Sequence, residues 1–473
     1  MTDALHRLAR ATLLAPFEGA TPPGWLLEEL KNGLGGVTLF ALNGNVPDVE
    51  GLAALTAALR EAGDPIITID EEGGDVTRLD HTTGSRYPGN AALGVVDDLE
   101  LTRRVFRSIG AELVRAGVNM DFAPSVDVNS ATENPIIGTR AFGATADVVA
   151  RHAAASVAGL QEAGVAACVK HFPGHGDTRD DSHLSVPVVD ADLALLHERE
   201  LAPFKAAIAA GTQALMTAHL IVPELTGETP ATLSPAAITG LLRDELGYQG
   251  VVVTDALDMK GASGEIGIPE AAVQALIAGA DLLCLGSQEF ADSIREITAA
   301  IVAAVHEGRL PEARLEEAAQ RVRRLKTWLA TPRTVELDRA TGLEAARRAV
   351  RAQGRIRLAD PLVIRLEAPG NIAVGPVPWG LAPWTEEIQL DPATTTREDL
   401  LERAGDRPLV LVVRDAHRHE AQRALAESLT AARPDTVVVE MGLPVWRPET
   451  PHLATFGAAY VNAWAAAERL GLT

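Results

Sequence analysis

The chain has 473 residues, 47% of them hydrophobic, which is enough for a large core and more than one domain of ordinary size. Its net charge of −22 argues against nucleic acid as the main partner, because phosphate binding needs a basic surface. Its two cysteines, Cys168 and Cys284, lie in apolar runs and predict buried thiols in a reducing compartment rather than a disulfide framework.

The amino-terminal twenty residues contain an apolar patch that Arg7 and Arg10 interrupt, and no small-residue cleavage site follows it. We therefore expect no signal peptide. No stretch of the sequence approaches the roughly 18 uninterrupted apolar residues of a membrane span. These features predict a soluble, cytoplasmic protein with no membrane contact.

Up to about residue 290 the chain repeats one theme, a short apolar run followed by a polar turn and an amphipathic segment of helical period. Several of the helix-like segments end in the glycine that commonly terminates a helix. The apolar runs predict eight strands, at residues 11–17, 36–40, 65–70, 117–124, 165–172, 214–220, 250–257 and 281–286. Eight strand–helix units favour an α/β fold of the (β/α)8 TIM-barrel type, with a doubly wound open sheet as the competing arrangement.

Polar residues at the ends of the predicted strands favour the barrel. In a barrel, strand interiors pack the core and functional groups emerge at the carboxyl ends of the strands. Six such residues stand at or just past strand ends, namely Asp70, Asp121, Lys170, His171, His219 and Asp255. No glycine-rich phosphate motif follows any of these strands, which weakens the nucleotide-binding alternative.

The remainder of the chain predicts a second, smaller α/β layer domain. A helical stretch at 290–330 completes the barrel region, so we assign residues 1–330 to the catalytic barrel domain and residues 331–339 to a linker. Residues 340–473 form the small carboxy-terminal domain. Its predicted strands lie at 362–366, 408–413 and 436–442, and its predicted helices at 342–353, 419–433 and 456–470.

The segment 170–187, KHFPGHGDTRDDSHLSVP, concentrates titratable side chains at one strand end. A metal site would use His171, His175 and His183, but this loop contains proline and glycine where metal-binding histidines usually occupy a regular helix or sheet. A second interpretation is a polar loop in which residues such as Asp177 mainly hold the loop in shape.

The third interpretation of this segment is acid–base catalysis. Asp181 and His183 lie two residues apart, so the carboxylate can bind one imidazole nitrogen and orient the other. A neighbouring anion raises the pKa of an imidazole toward the working pH, where proton transfer is most efficient. Asp255, at the end of the apolar strand VVVTD, is the candidate nucleophile.

Six motifs in order along the chain carry a resemblance to a known family. They are IDEEGGDVTRL, NPIIGTRAFG, KHFPGHGDTRDDSH, ALMTAHLIVP, PATLSP and LLRDELGYQGVVVTDALDM. Together they resemble the β-N-acetylhexosaminidases of glycoside hydrolase family 3 over about residues 10–330. The carboxy-terminal part resembles, more weakly, the second α/β domain that some members carry.

The resemblance implies a retaining double displacement. It assigns Asp255 as the nucleophile, His183 as the general acid/base and Asp181 as the carboxylate that orients His183. It also implies a set of residues that grip the N-acetylglucosamine ring, namely Asp70, Arg78, Arg140, Lys170 and His171. Asp75 stands where the family commonly has a basic residue, and for His219 and Asp121 we expect structural roles.

The implied activity is that of a cytoplasmic, exo-acting β-N-acetylglucosaminidase without a metal or organic cofactor. Its partners would be small carbohydrates, by resemblance N-acetylglucosaminides and muropeptides from peptidoglycan recycling, and its oligomeric state stays open. Two alternatives remain at this point. One is a phosphorylase that resolves the same glycosyl-enzyme with phosphate, and the other is a non-catalytic sugar-binding barrel.

Overall fold

The computed structural model describes residues 2–178, 186–264, 266–288 and 290–473. The chain divides into two compact units. The barrel unit comprises Met1–Glu71, Thr102–Ala131 and Ala144–Leu337, and the sheet unit comprises Glu72–Leu101, Thr132–Gly143 and Asp338–Thr473.

The barrel unit contains eight parallel strands, and each lies inside one of the eight predicted apolar runs. The strands are β1 Leu13–Ala15, β2 Gly36–Thr38, β3 Ile66–Ile69, β4 Met120–Asp121, β5 Ala166–Phe172, β6 Ala214–Thr217, β7 Val251–Thr254 and β8 Leu283–Cys284. They pair in the order β7-β6-β5-β4-β3-β2-β1-β8, and a parallel bridge between Val253 and Leu282 connects the two ends. This ring confirms the predicted barrel over the open sheet.

Helices follow most strands, as the periodicity predicted. In chain order the α-helices of the described residues are α1 Thr2–Ala11, α2 Gly24–Lys31, α3 Val49–Ala62, α4 Asn90–Val96, α5 Leu99–Arg115, α6 Ala146–Ala163, α7 Leu193–Leu195, α8 Leu201–Ala209, α9 Pro223–Thr226, α10 Lys260–Ser263, α11 Ile268–Ala278, α12 Ala291–His306, α13 Glu312–Leu329, α14 Ala340–Ala349, α15 Arg397–Ala404, α16 Glu420–Ala432 and α17 Tyr460–Leu470. Leu196–Glu200 and Ala236–Glu245 are π-helical, and Ala41–Asn43, Gly138–Arg140 and Ala231–Leu233 are 3₁₀ turns.

The barrel interior is filled by side chains from alternating strand positions, as expected for strands that are buried on both faces. These side chains form one hydrophobic cluster, whose members are at most 3% exposed and include Met120, Cys168, Met216 and Val253. Cys168 and Cys284 are free and buried, as predicted.

A buried charge cluster lies immediately before β8. Asp281 is fully buried and accepts hydrogen bonds from Arg243 at 2.5 Å, from Arg314 at 2.6 Å and from the Val252 N–H at 3.0 Å. Arg321 reaches the same carboxylate at 3.3 Å, and Glu317 pairs with both Arg314 and Arg321. One carboxylate therefore connects β7, the start of β8, the helix 236–245 and α13.

The sheet unit is an open six-stranded sheet with the order β11-β10-β12-β13-β14-β9. Its strands are β9 Arg351–Gln353, β10 Leu362–Leu366, β11 Glu387–Leu390, β12 Leu409–Val413, β13 Val437–Glu440 and β14 His452–Ala454. All neighbours are parallel except β9, which runs antiparallel to β14. The sheet confirms the predicted α/β layer.

The structure corrects the bounds of one predicted helix and resolves a predicted helical stretch into two helices. The predicted helix 342–353 ends at Ala349, and its last residues form β9, whose three side chains are all exposed. The helical stretch at 290–330 is two helices, α12 and α13, with a break at 307–311 that contains Gly308 at φ 74° and Pro311. Among the described residues, no helix combines the length and apolar composition needed to cross a bilayer.

Candidate active site at the barrel rim

The predicted rim residues of the barrel unit stand where the strands end. Asp70 follows β3, and Lys170 and His171 lie within the last three residues of β5. The pairing of β5 with β6 is interrupted between Val169 and Phe172, so Lys170 and His171 occupy an irregular part of the strand. Such irregularities commonly redirect side chains beside active sites.

Asp70 and Lys170 form an ion pair, with Lys170 Nζ 2.6 Å from Asp70 Oδ1. The Lys170 side chain is only 2% exposed, and a buried ammonium needs such a partner. Asp70 is 23% exposed and so retains access to solvent. Two of the five residues that the resemblance assigned to sugar binding are therefore held together before any ligand binds.

Asp127 organises the loop that follows β5. Its carboxylate accepts hydrogen bonds from Ser125 Oγ at 2.9 Å and from the His175 N–H at 2.7 Å, and it binds His171 Nδ1 at 2.7 Å. Burial opposes the charge on Asp127, but His171 and His175 outweigh it and hold the pKa of this carboxyl well below its usual range. The ionised carboxylate binds the His171 ring through Nδ1 and so fixes its orientation.

Asp121, at the end of β4, has a structural role, as expected. Its Oδ1 accepts the backbone N–H of Glu71 at 2.9 Å, which ties the end of β3 to β4. Complete burial raises the pKa of Asp121 well above its usual value.

Asp255 directly follows β7, and its surroundings hold it at the rim. Its backbone N–H donates to the Thr217 carbonyl at 3.2 Å, and its Oδ1 accepts the Ala256 N–H at 2.7 Å. His219, 1% exposed, lies 2.9 Å through Nε2 from the Ala256 carbonyl and 2.9 Å through Nδ1 from the Thr232 hydroxyl. His219 thus supports the turn that carries Asp255, which agrees with its expected structural role.

The first part of the loop 170–187 is anchored to the π-helical turn 196–200. Arg199 binds Asp177 at 2.6 Å and Glu200 at 2.5 Å. Gly174 has φ 130°, and a Cβ there would lie 2.8 Å from the Glu200 Cβ, so only glycine fits. Asp177 therefore holds the loop in shape, as the second interpretation proposed. Asp180, Asp181 and His183 lie outside the described residues.

Glu200 gives this anchor a pH dependence. Burial raises the pKa of Glu200 to about 7, because the ion pair with Arg199 only partly offsets desolvation. The folded protein thus keeps a proton that the unfolded chain loses near 4.5, and the associated stability is lost as pH rises through 7. Between these values the free energy of unfolding should fall by up to about 3 kcal/mol.

Urea denaturation from pH 4.5 to 8 tests this assignment with Glu200→Gln. The variant should lose that part of the decline in stability with pH, since glutamine does not titrate. Glu198→Gln, two residues away and exposed, is the matched control and should keep the wild-type slope. Equal slopes in wild type and Glu200→Gln would contradict the assignment.

Arg78 and Arg140 belong to the sheet unit, where both have partners. Arg140 binds Glu72 through Nε at 3.0 Å and Nη2 at 2.7 Å, and it donates from Nη1 to the Ile136 carbonyl. Arg78 donates to the carbonyls of Ala373 and Val374 at 2.9 and 3.2 Å. Both guanidinium groups are therefore held in fixed orientations within this unit.

Asp75 also joins separate segments of the sheet unit. Its Oδ2 accepts from Thr139 at 2.6 Å and from Arg414 at 3.0 Å, and its Oδ1 accepts from the Ala458 N–H at 2.7 Å. Asp75 stands where the resembled family commonly has a basic residue, and here the basic partner is Arg414. The ion pair between them keeps the loop of Asp75 attached to its neighbours.

Sequence reasoning missed three groups that hold candidate site residues or their loops in place, Asp127 and the pair Arg199–Glu200 in the barrel unit and Glu72 in the sheet unit. Asp127 had a usable signal, because it is a carboxylate in the otherwise apolar segment FAPSVDV just past the end of a strand. Glu72 lies inside a motif that was recognised, but its partner Arg140 is 68 residues away. No spacing rule connects them.

The comparisons with known proteins agree on one family. Residues 27–325 match the model described as the glycosyl hydrolase family 3 N-terminal domain. The chain is 38% identical over 323 residues to β-hexosaminidase A of Pseudoalteromonas piscicida, covering 63% of this chain and 54% of that relative. It is 37% identical over 271 residues to a β-hexosaminidase of Chromobacterium violaceum, covering 55% of this chain and 74% of the relative.

A solved structure extends the similarity to both units. It is a glycoside hydrolase family 3 β-N-acetylglucosaminidase from Paenibacillus sp. str. FPU-7, with a TM-score of 0.89 and 33% identity. The match covers 99% of this chain and 97% of that one, whereas the chain spans only about half the length of the Pseudoalteromonas relative. The carboxy-terminal sheet is thus shared with a protein of similar size.

Proposed function

Because this chain belongs to glycosyl hydrolase family 3, we propose that it is a retaining exo-β-N-acetylglucosaminidase that releases terminal N-acetylglucosamine from β-glycosides. The observation that carries the proposal is the position of Asp255. Its carboxylate is fixed at the end of β7. Two ion pairs lie at strand ends of the same barrel: Asp70 after β3 pairs with Lys170 of β5, and Asp127 beyond β4 pairs with His171 of β5. The β-hexosaminidase relatives support the choice of sugar.

The proposed reaction has two displacements at the anomeric carbon. In the first, an Asp255 oxygen forms a bond to that carbon while the bond to the leaving oxygen breaks and His183 transfers its proton to that oxygen. In the second, His183 takes a proton from water, whose oxygen displaces Asp255 and restores the carboxylate. Asp181 orients the His183 ring throughout.

Sugar recognition is proposed for the residues that the family motifs identify. Fixed charged or polar groups at the rim come from Asp70, Lys170 and His171. A sugar that lacks a matching hydroxyl would leave one of these groups buried without a hydrogen-bond partner, and the free-energy cost of that loss selects against such a sugar. Arg78 and Arg140 complete the proposed set. Peptidoglycan fragments, including muropeptides, are the proposed natural substrates, and the cytoplasm is the proposed compartment. The division into domains 1–330 and 340–473 with a linker at 331–339 likewise remains a proposal.

Turnover of a panel of aryl glycosides, with and without phosphate, tests the function. We expect an aryl β-N-acetylglucosaminide to be cleaved to free N-acetylglucosamine of retained β configuration, at a rate that phosphate does not change. Aryl β-glucosides should be much poorer substrates. Sugar 1-phosphate as the main product would replace hydrolysis by phosphorolysis, and no turnover of any glycoside would favour the non-catalytic barrel.

A further inference from the structure

The sheet unit has a topological switch point between β10 and β12. From β10 the chain moves outward to β11, and it then crosses back to β12, β13 and β14 on the other side of β10. The connections that leave β10 and β12 at their carboxyl ends therefore diverge. In open α/β sheets this divergence creates the crevice in which ligands bind.

A pocket occupies this position, with an empty volume of about 570 Å³. That volume includes space that is open to solvent, so the pocket suits a small group rather than a whole drug-sized ligand. Three segments line it, all from the sheet unit: residues 135–140, residues 368–374 after β10, and residues 414–419 after β12. The location predicted by topology and the location of the cavity thus coincide.

The titratable side chains that line the pocket are Arg140, Arg414, Arg418, Asp415 and His419. Arg140 and Arg414 are fixed by the carboxylates of Glu72 and Asp75. Asp415 accepts the Leu443 N–H through Oδ1 at 2.8 Å. Each of these two ion pairs is neutral as a whole, so the charged side chains that remain in the pocket are Arg418 and Asp415.

Arg418 differs from the other two arginines. It is half-buried, and its guanidinium makes no ion pair or hydrogen bond within the described ranges. Burial lowers the pKa of the adjacent His419, the charges of Arg418, His417 and Arg414 lower it further, and Asp415 opposes them. The pocket therefore has a half-buried guanidinium available to a ligand.

The pocket wall also contains two glycines at which an added side chain would meet open space. A Cβ built on Gly138 or on Gly370 would meet no atom within 4 Å. Gly138 has φ 49°, so a side chain there would be strained, whereas no such restriction applies to Gly370. Position 370 can therefore carry a larger side chain that occupies open space without disturbing the charged residues.

We propose that this pocket binds a small anionic group, a carboxylate or a phosphate, with Arg418 as its main contact. A guanidinium presents a planar set of donors that matches either oxyanion, and a charged hydrogen bond in a partly desolvated pocket is stronger than one at the surface. The ligand is either a free small anion or an anionic substituent of a sugar substrate. The binding site itself does not depend on the proposed hydrolysis.

Calorimetric titration of the full chain with inorganic phosphate and with citrate tests the site. Arg418→Gln should weaken binding of the anion that the wild type prefers by about tenfold or more, as expected for loss of a charged hydrogen bond. Gly370→Leu should weaken it by partial filling of the pocket. Arg403→Gln, an exposed arginine in the last turn of α15, is the matched control and should bind like the wild type.

Kinetics then distinguish the two sources of the anion. If it belongs to a substrate, Arg418→Gln should lower kcat/KM for a carboxylated aryl β-N-acetylglucosaminide about tenfold and leave a neutral aryl substrate unchanged. If it is a free anion, only the titration should respond. The proposal fails if Arg418→Gln alters neither anion binding nor this substrate preference. Because the titration needs no turnover, that failure is separable from a failure of the proposed hydrolysis.

Discussion

Replacement of Asp255 by alanine should lower kcat for an aryl β-N-acetylglucosaminide by about 10⁴-fold or more, the scale seen when a nucleophile is removed from a covalent mechanism. The expectation rests on the position of the carboxylate at the end of β7, where Ala256 and the His219-supported turn fix it. Initial rates with saturating substrate measure the effect. The unfolding midpoint of the variant should stay close to that of the wild type.

Two further measurements make this result specific. Asp244→Ala, an exposed aspartate in the helix 236–245 that precedes β7, should retain wild-type kcat. A slow mechanism-based substrate should label one peptide of the wild type, and that peptide should contain Asp255. Undiminished turnover by Asp255→Ala, or a label on another residue, would refute the assignment of the nucleophile.

Replacement of Asp281 by asparagine should destabilise the protein by about 3–5 kcal/mol, the range for breaking a buried ion pair. Asp281 is the shared partner of Arg243, Arg314 and Arg321, and it also accepts the Val252 N–H. Asparagine nearly preserves the volume but removes the negative charge, so three guanidinium groups face one another across a buried site. Urea denaturation at neutral pH measures the loss.

Glu317→Gln is the control for the Asp281 prediction. Glu317 pairs with two of the same arginines, but it is 47% exposed, so its replacement should change stability by less than about 1 kcal/mol. If the two variants were equally stable, burial of Asp281 would not be the reason for its contribution.

The barrel could be predicted from the sequence because each strand there is buried on both faces and reads as a continuous apolar run. The helices were recognisable by their period and by terminal glycines such as Gly164, which adopts a left-handed φ of 93°. The sheet unit was harder to predict. β9 has three exposed residues and exists because it pairs with β14 about 100 residues away, and no local pattern encodes that pairing.

The candidate site divides in the same way. Residues at strand ends, such as Asp70, Lys170 and Asp255, could be found because a barrel places functional groups there. Their partners could not be found so directly, since Asp127 reaches His171 across 44 residues. Arg78 and Arg140 were assigned by resemblance alone, and the structure adds that both are already engaged within the sheet unit.

The assignment of Glu72–Leu101 and Thr132–Gly143 to the sheet unit has a consequence for synthesis. These segments leave the ribosome long before Asp338, where the rest of their unit begins. At about 5–20 residues per second, the wait between Gly143 and Asp338 lasts roughly 10–40 s. Throughout that interval the nascent chain exposes apolar surface such as that of α4, which makes this period the one in which a chaperone would be most useful.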